Sequence, residues 1–314
     1  MRDVIEAWGS RGGLWKRPTR TRVGGIEIIK PTRDDVTMII SIASGKGGTG
    51  KTTVAVNLAL SLSDVQLLDC DVEEPNSHIF LKPEIEDVKS ACTLVPVVNP
   101  DLCDYCGKCA AACEYNAIVV LPTQVMVFSE LCHGCGLCSM VCPRDAISEE
   151  TREIGVVRKG RSEGTVELVY GLLHIGEIMA APLIDHVKEE IDPEKTVIID
   201  APPGTACPVI AAISGSDYCI LVTEPTPFGL YDLKLIVEVL KVLKIPSGVV
   251  INKAGIGDRE VYDYCKEEGI PILLEIPYDK EIAEHYSEGI PFVNAIPEWK
   301  TRFSGMVEGI RGEL

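Results

Sequence analysis

The 314-residue sequence predicts an α/β fold, a mostly parallel sheet flanked by helices, interrupted by a small inserted α+β unit. Short apolar runs of strand type, such as "TMIISIA", "VIID" and "GVVIN", alternate with segments of helical pattern, an order that gives a parallel sheet. A glycine-rich turn joins the first apolar run to the first helical segment. Further on, eight regularly spaced cysteines break the alternation once.

Composition narrows what such a chain can do. With 46% hydrophobic residues it can bury a large domain and a small one. A net charge of −17 leaves no broad basic face for a nucleic acid, so no direct nucleic-acid partner is expected. No apolar run reaches the roughly 18 residues of a membrane span, and the N-terminus lacks the apolar segment of a secretory signal. The expected location is therefore cytoplasmic, where thirteen cysteines do not form a disulfide framework.

Residues 1–36 form a basic extension. Its stretch "WGSRGGLWKRPTRTR" has neither helical nor strand period, and low apolar content cannot offset the entropy of ordering, so a disordered arm is expected. The alternatives are an upstream extension from too early a start codon, since Met38 opens the first strand, and a basic targeting arm.

Residues 37–91 begin the main domain. The run "GKGGTGKT" fills G-x4-G-K-[ST] with Gly45, Gly50, Lys51 and Thr52, after a strand and before a helix. Glycines there let successive N–H groups surround phosphate oxygens. Lys51 reaches the β and γ phosphates, and Thr52 binds Mg2+ at the helix N-terminus, whose dipole favours the anion.

Residues 92–150 form the insertion. Cys103, Cys106, Cys109 and Cys113 follow C-x2-C-x2-C-x3-C, and Cys132, Cys135, Cys138 and Cys142 repeat it 29 residues later, with Pro143 behind. The spacing resembles the ligand run of a bacterial two-cluster ferredoxin, in which each fourth cysteine serves the other cluster. That resemblance implies one 4Fe-4S cluster on Cys103, Cys106, Cys109 and Cys142 and another on Cys132, Cys135, Cys138 and Cys113. The x2 steps let one loop wrap three corners of a cluster while backbone N–H groups point at the sulfurs, and the x3 step starts a helical turn that reaches across. Four thiolates also suit tetrahedral zinc, which is the alternative. Glu114 stands where a proline often follows the first run. Between the repeats, "AIVVLPTQVMVF" reads as strand, turn and strand. Cys70, Cys92, Cys219 and Cys265 read as small buried apolar residues.

Residues 151–314 resume the main domain. Here the motifs assemble into a resemblance. The loop run, with its second lysine Lys46, resembles the MinD/ParA/Mrp superfamily of ATPases, relatives of the nitrogenase iron protein, and in particular members containing an inserted ferredoxin domain. The resemblance spans Met38 to about Pro297. It implies that Gly45, Lys46, Gly47, Gly48, Thr49, Gly50, Lys51, Thr52 and Thr53 hold ATP or ADP, and that Lys46 reaches a partner's phosphates across a nucleotide-bridged dimer. "LLDCDVEEPN" then matches switch I, with Asp71 positioning or activating the attacking water. "VIIDAPPGT" matches the Mg2+ strand and switch II, with Asp200 on Mg2+ through water and the Gly204 backbone sensing the γ-phosphate. Asn252 in "GVVINKAG" would read adenine, and the Pro277 backbone in "LLEIPYD" would line it.

By this resemblance the chain is an ATPase, dimerising with itself or a paralogue, that couples nucleotide state to electron transfer with a redox partner protein. The alternatives are an Mrp-type iron-sulfur cluster carrier, although the usual C-terminal C-x-x-C is lacking, and a MinD- or ParA-like positioning or division ATPase with redox-sensing clusters. Ligands bind at the carboxyl ends of strands in such folds, so the cysteines are expected close to the switches. Cys207, beyond switch II, reads as an inert thiol or a redox-active ligand. Trp299, Phe303, Met306 and Ile310 share one face of a helix, read as core packing rather than a membrane anchor.

Overall fold

The computed structural model describes residues 21–23, 26–28, 38–162 and 166–314. Within the basic extension, β1 (Thr21–Val23) and β2 (Ile26–Ile28) pair antiparallel. The rest of the arm expected over residues 1–36 lies outside the described residues.

The main domain starts with β3 (Met38–Ala43), α1 (Lys51–Ala59), β4 (Val65–Asp69) and α2 (Ser77–Leu81). Then β5 (Glu84–Val98) leads into a cysteine-rich unit of α3 (Lys108–Ala112), β6 (Ile118–Leu121), β7 (Gln124–Val127) and α4 (Leu137–Met140), from which β8 (Ile147–Arg161) returns. After it come β9 (Val166–Leu173), α5 (Ala181–Lys188), β10 (Thr196–Asp200), α6 (Cys207–Ile213), β11 (Tyr218–Thr223) and α7 (Pro227–Leu243). The chain ends with β12 (Ser247–Ala254), α8 (Glu260–Glu268), β13 (Ile272–Pro277), α9 (Lys280–Ser287), α10 (Phe292–Ala295) and α11 (Glu298–Glu313).

Nine strands form one sheet in the order β13-β12-β11-β3-β10-β4-β9-β8-β5. The seven from β13 to β9 run parallel, and β8 is antiparallel to both of its neighbours. Central parallel strands are covered on both faces, which is why β3, β4 and β10 are buried along their whole length. Alternate residues go to opposite layers. Ile39 and Leu68 pack with Leu183, Ile210 and Ile236, whereas Ile40 and Leu67 pack with Leu58 and Phe303. Trp299, Phe303, Met306 and Ile310 are all buried in this second layer, as their helical spacing predicts.

The insertion hangs from a ribbon. β8 pairs with β9 only from Gly155 to Arg161, while β5 and β8 stay paired out to Val98 and Ile147. The stretch Cys92–Val98 therefore projects past the carboxyl end of the parallel sheet, roughly 20 Å at strand spacing. The boundaries expected at 92 and 150 fall inside these continuous strands, because the ribbon itself bridges domain and insertion. As read from "AIVVLPTQVMVF", β6 and β7 pair antiparallel around a turn.

Candidate functional site

The first site forms where the order of the sheet reverses, with the strands following β3 placed to either side of it. The carboxyl ends of β3, β10 and β4 meet there, flanked by those of β11 and β12. Ser44 to Gly50 turn from β3 into α1, with left-handed backbone at Gly48 (φ 79°) and Gly50 (φ 94°) that only glycine adopts without strain. A Cβ on Gly45 would collide with the Asp232 carbonyl of α7, and one on Gly50 with the Asn252 amide. The loop is thus clamped on both sides. Lys51 is buried in the first turn of α1, and the hydroxyl of Thr52 donates to Asp200 Oδ2 at 2.6 Å.

Asp200 and Asp69 end neighbouring strands in direct register, and both are fully buried. Burial raises both carboxyls. Nearby Asp69 pushes Asp200 higher still, while Thr52 and Lys51 offset part of the shift. Asp200 Oδ1 and the Thr49 hydroxyl are buried without hydrogen-bond partners among the described residues. A Mg2+-nucleotide fits this arrangement: a cation would relieve the carboxylate repulsion, and phosphate oxygens would satisfy the threonine. Asp69 was not singled out by the motifs, although it ends an apolar strand as Asp200 does. It accepts from the N–H groups of Asp71, Asn76 and Ser77 at 3.1, 3.0 and 2.9 Å, and so shapes the turn after β4. Asp71 lies half-buried beside it, raised to about 6 first by burial and then by Asp69.

Two residues with expected nucleotide roles are hydrogen-bonded within the protein. Asn252 Nδ2 donates to the Thr49 carbonyl at 2.8 Å, so one of its two N–H groups is engaged on the loop. Pro277 lies beside this strand end, in register with Ala254. The Gly204 N–H donates to the Ser44 carbonyl at 3.0 Å, so offering it to a phosphate requires the loop after β10 to move. Lys46 points toward Glu224, with Nζ at 3.9 Å from Oε2.

The second site is doubled. One open pocket is lined by Cys103, Cys106, Cys109 and Cys142, and another by Cys132, Cys135, Cys138 and Cys113. Each takes three cysteines from one repeat and the fourth from the other. The repeat extends to the backbone. Tyr105 and Gly134, Gly107 and Gly136, and Asn116 and Asp145 all have positive φ at equivalent positions. Amide groups also face sulfur equivalently: Tyr105 to Cys103 and Gly134 to Cys132 at 3.4 Å, Ala117 to Cys113 and Ala146 to Cys142 at 3.3 Å. Among the described residues, no group of three or more His, Cys, Asp or Glu side chains is arranged to hold a metal ion. Cys70, Cys219 and Cys265 are buried as expected, Cys92 only half-buried because it sits where the ribbon leaves the sheet, and Cys207 is exposed.

The two sites share the carboxyl end of the sheet but are not adjacent. β3 carries the loop and β5 the insertion, with β10, β4, β9 and β8 between them. The insertion thus grows from the sheet edge, on the β4 side of the phosphate loop, the side that carries the expected switch I. A bonded path nevertheless spans the gap. Leu173 N–H donates to Val72 of switch I at 2.9 Å, His174 N–H to Ile154 of β8 at 3.0 Å, and Arg152 of β8 joins Glu177 to the carbonyl of Ser129, just before Cys132.

Fold and first site together define a P-loop nucleotide-binding domain. The chain belongs to the CobQ/CobB/MinD/ParA nucleotide binding domain family, matched over residues 40–292. An uncharacterized protein of Methanocaldococcus jannaschii is 30% identical over 277 residues, 82% of this chain and 91% of that protein. An iron-sulfur cluster carrier protein of the same organism is 27% identical over 303 residues, 87% of this chain and 85% of that one. The solved structure of the cell division ATPase MinD from Pyrococcus furiosus shares the fold, with a TM-score of 0.53, 24% identity, and coverage of 87% of this chain and 99% of that one. No described helix is long and apolar enough to cross a membrane.

Proposed function

We propose that this protein hydrolyses MgATP as a nucleotide-bridged dimer and couples its nucleotide state to electron transfer through two 4Fe-4S clusters in a ferredoxin-like insertion. The observation that carries this reading is the pair of four-cysteine cavities, each sharing cysteines between the repeats, at the loop end of the sheet. One zinc ion would need its four thiolates converged at about 2.3 Å, whereas a cluster spreads them over four irons. The sharing of cysteines between the repeats and the amides facing sulfur suit the cluster. Bound there, such clusters supply one-electron redox chemistry whose potential depends on amide hydrogen bonds and solvent exposure.

At the nucleotide, Lys51 and the loop amides would hold the phosphates, while Thr52 and Asp200 would hold Mg2+. Asp71 orients and deprotonates the attacking water, and Lys46 reaches the partner's phosphate. Gly204 exchanges its bond to Ser44 for the γ-phosphate. Asn252 and Pro277 line the base side once Asn252 releases Thr49. ATP favours the closed state only through contacts that ADP lacks. The path from Val72 through Glu177 and Arg152 to Ser129 is the physical link by which closure alters the cysteine unit and its exposure to a redox partner; connectivity by itself is not coupling.

Anaerobic EPR redox titration without nucleotide, with MgADP and with a non-hydrolysable ATP analogue tests the coupling. The expected result is a nucleotide-dependent shift of roughly 30 mV or more, half of the ~59 mV that makes a tenfold change for one electron. Identical potentials in all three states would overturn it. A second reading, an iron-sulfur cluster carrier, is favoured by the 27% identity to a protein of that name. Eight cysteines in two runs of four, enough for complete ligation of two clusters, argue for retention, and transfer of iron to an apo-ferredoxin at a rate raised by ATP would instead support the carrier.

A further inference from the structure

Glu224, which follows β11, is named by no motif and takes no part in the roles above. Its side chain is only 12% exposed and lies between two lysines on separate elements. Lys253, at the end of β12, donates to Oε1 at 2.6 Å, and Lys46, in the phosphate loop, has Nζ 3.9 Å from Oε2. The segment carrying Glu224 is tightly wrapped. Thr223 Oγ1 donates to the Gly229 carbonyl at 3.0 Å, and Thr226 caps α7 through the Gly229 N–H at 3.1 Å. Lys253 is held by its own neighbour, its N–H donating to Asn252 Oδ1 at 2.9 Å, while the Asn252 amide grips the loop at Thr49. The carboxylate is therefore fixed, and of its two cations Lys46 is the one on a loop that must meet a nucleotide.

We infer that Glu224 is a positioning residue that keeps Lys46 on its own subunit until a partner's phosphate claims it, and that Lys253 makes the release possible. The inference rests on the proposed action of Lys46 across the dimer. A largely buried carboxylate that loses its sole cation is strongly destabilised, so an isolated Glu224–Lys46 pair would resist opening. With Lys253 on the other oxygen, Lys46 can leave while Glu224 stays neutralised. The pair then sets a small, adjustable cost on dimer closure, charged twice because both subunits must release a lysine.

The two neighbours of Lys46 predict opposite signs, which a merely structural role does not. In the cluster-loaded full chain, sedimentation with a non-hydrolysable ATP analogue and Mg2+ measures the dimer dissociation constant. Glu224→Gln should lower it roughly three- to tenfold, as expected for two weak ion pairs released per dimer. Lys253→Met should raise it by a similar factor, because Glu224 then depends on Lys46. MgADP affinity, read on the monomer, should stay within about twofold of the parent in both. Shifts of the same sign, no shift in either variant, or loss of MgADP binding by Glu224→Gln would overturn the inference. Lys46→Met separates the two levels: if it leaves nucleotide-dependent dimerisation intact, the reading of Lys46 itself fails, whatever Glu224 does.

Discussion

Asp200 and Cys135 are both assigned as ligands, yet Asp200 is completely buried and Cys135 is exposed. The contrast holds for their whole regions. The nucleotide pocket stands on strands buried end to end and is clamped by Asp232 and Asn252, so its shape follows from the packed core. Over residues 99–146 only Ala117, Ile118 and Ala146 are buried, and the helices there span five and four residues. A unit that small cannot support itself with apolar burial. The pocket is preorganised by the protein, whereas the proposed clusters would be what organises the cysteine unit.

Removing the ligand group should therefore break one region and spare the other. After iron chelation, hydrogen exchange across 99–146 is expected to lose nearly all protection while β3 and β10 keep theirs, with MgADP affinity within about twofold. A parallel loss of nucleotide binding would show that the two regions fold as one.

Asp200→Asn tests the opposite side. ATP hydrolysis should fall about 100-fold or more as the Mg2+ contact is weakened. Iron content should be unchanged, and the nucleotide-free protein more stable near neutral pH, because a buried carboxylate beside Asp69 is gone. Iron loss in this variant would erase the proposed independence.

The smallest effect concerns Asp71. Its carboxyl is raised from 3.8 to about 6, so the folded state favours the protonated form. That contribution is complete below about pH 4 and lost as the pH rises through about 6. Asp71→Asn should thus raise the melting temperature of the nucleotide-free protein by a few degrees at pH 7.5 and by less at pH 4.5, of the order expected for about 1 kcal/mol. In the parent protein, hydrolysis should decline as the pH falls through about 6 and Asp71 ceases to accept a proton.

Much of this was legible in the sequence because it is local. The strand-loop-helix context of Lys51, the β6–β7 hairpin and the buried stripe of α11 each depend on neighbours within one element or turn. Asp69 was legible in principle, as the last residue of an apolar run like "VIID", but carries no spacing that marks a role. Asn252 was visible as a strand-end residue, and nothing local said that its amide would meet Thr49. Nor did the insertion point reveal the distance of the cysteines from the loop, which follows from β5 and β8 being the last strands of the sheet.

What the sequence alone determined is the chemistry each segment can perform: glycines free to turn amides toward phosphate, and two cysteine runs whose shared spacing resembles that of a two-cluster ferredoxin. These depend on backbone dihedrals and side-chain identity over a few residues. Only the tertiary structure decided which charges meet. Asp69 faces Asp200, and Glu224 stands between Lys46 and Lys253, because sheet order and burial bring distant strand ends together and remove the water that would otherwise screen them.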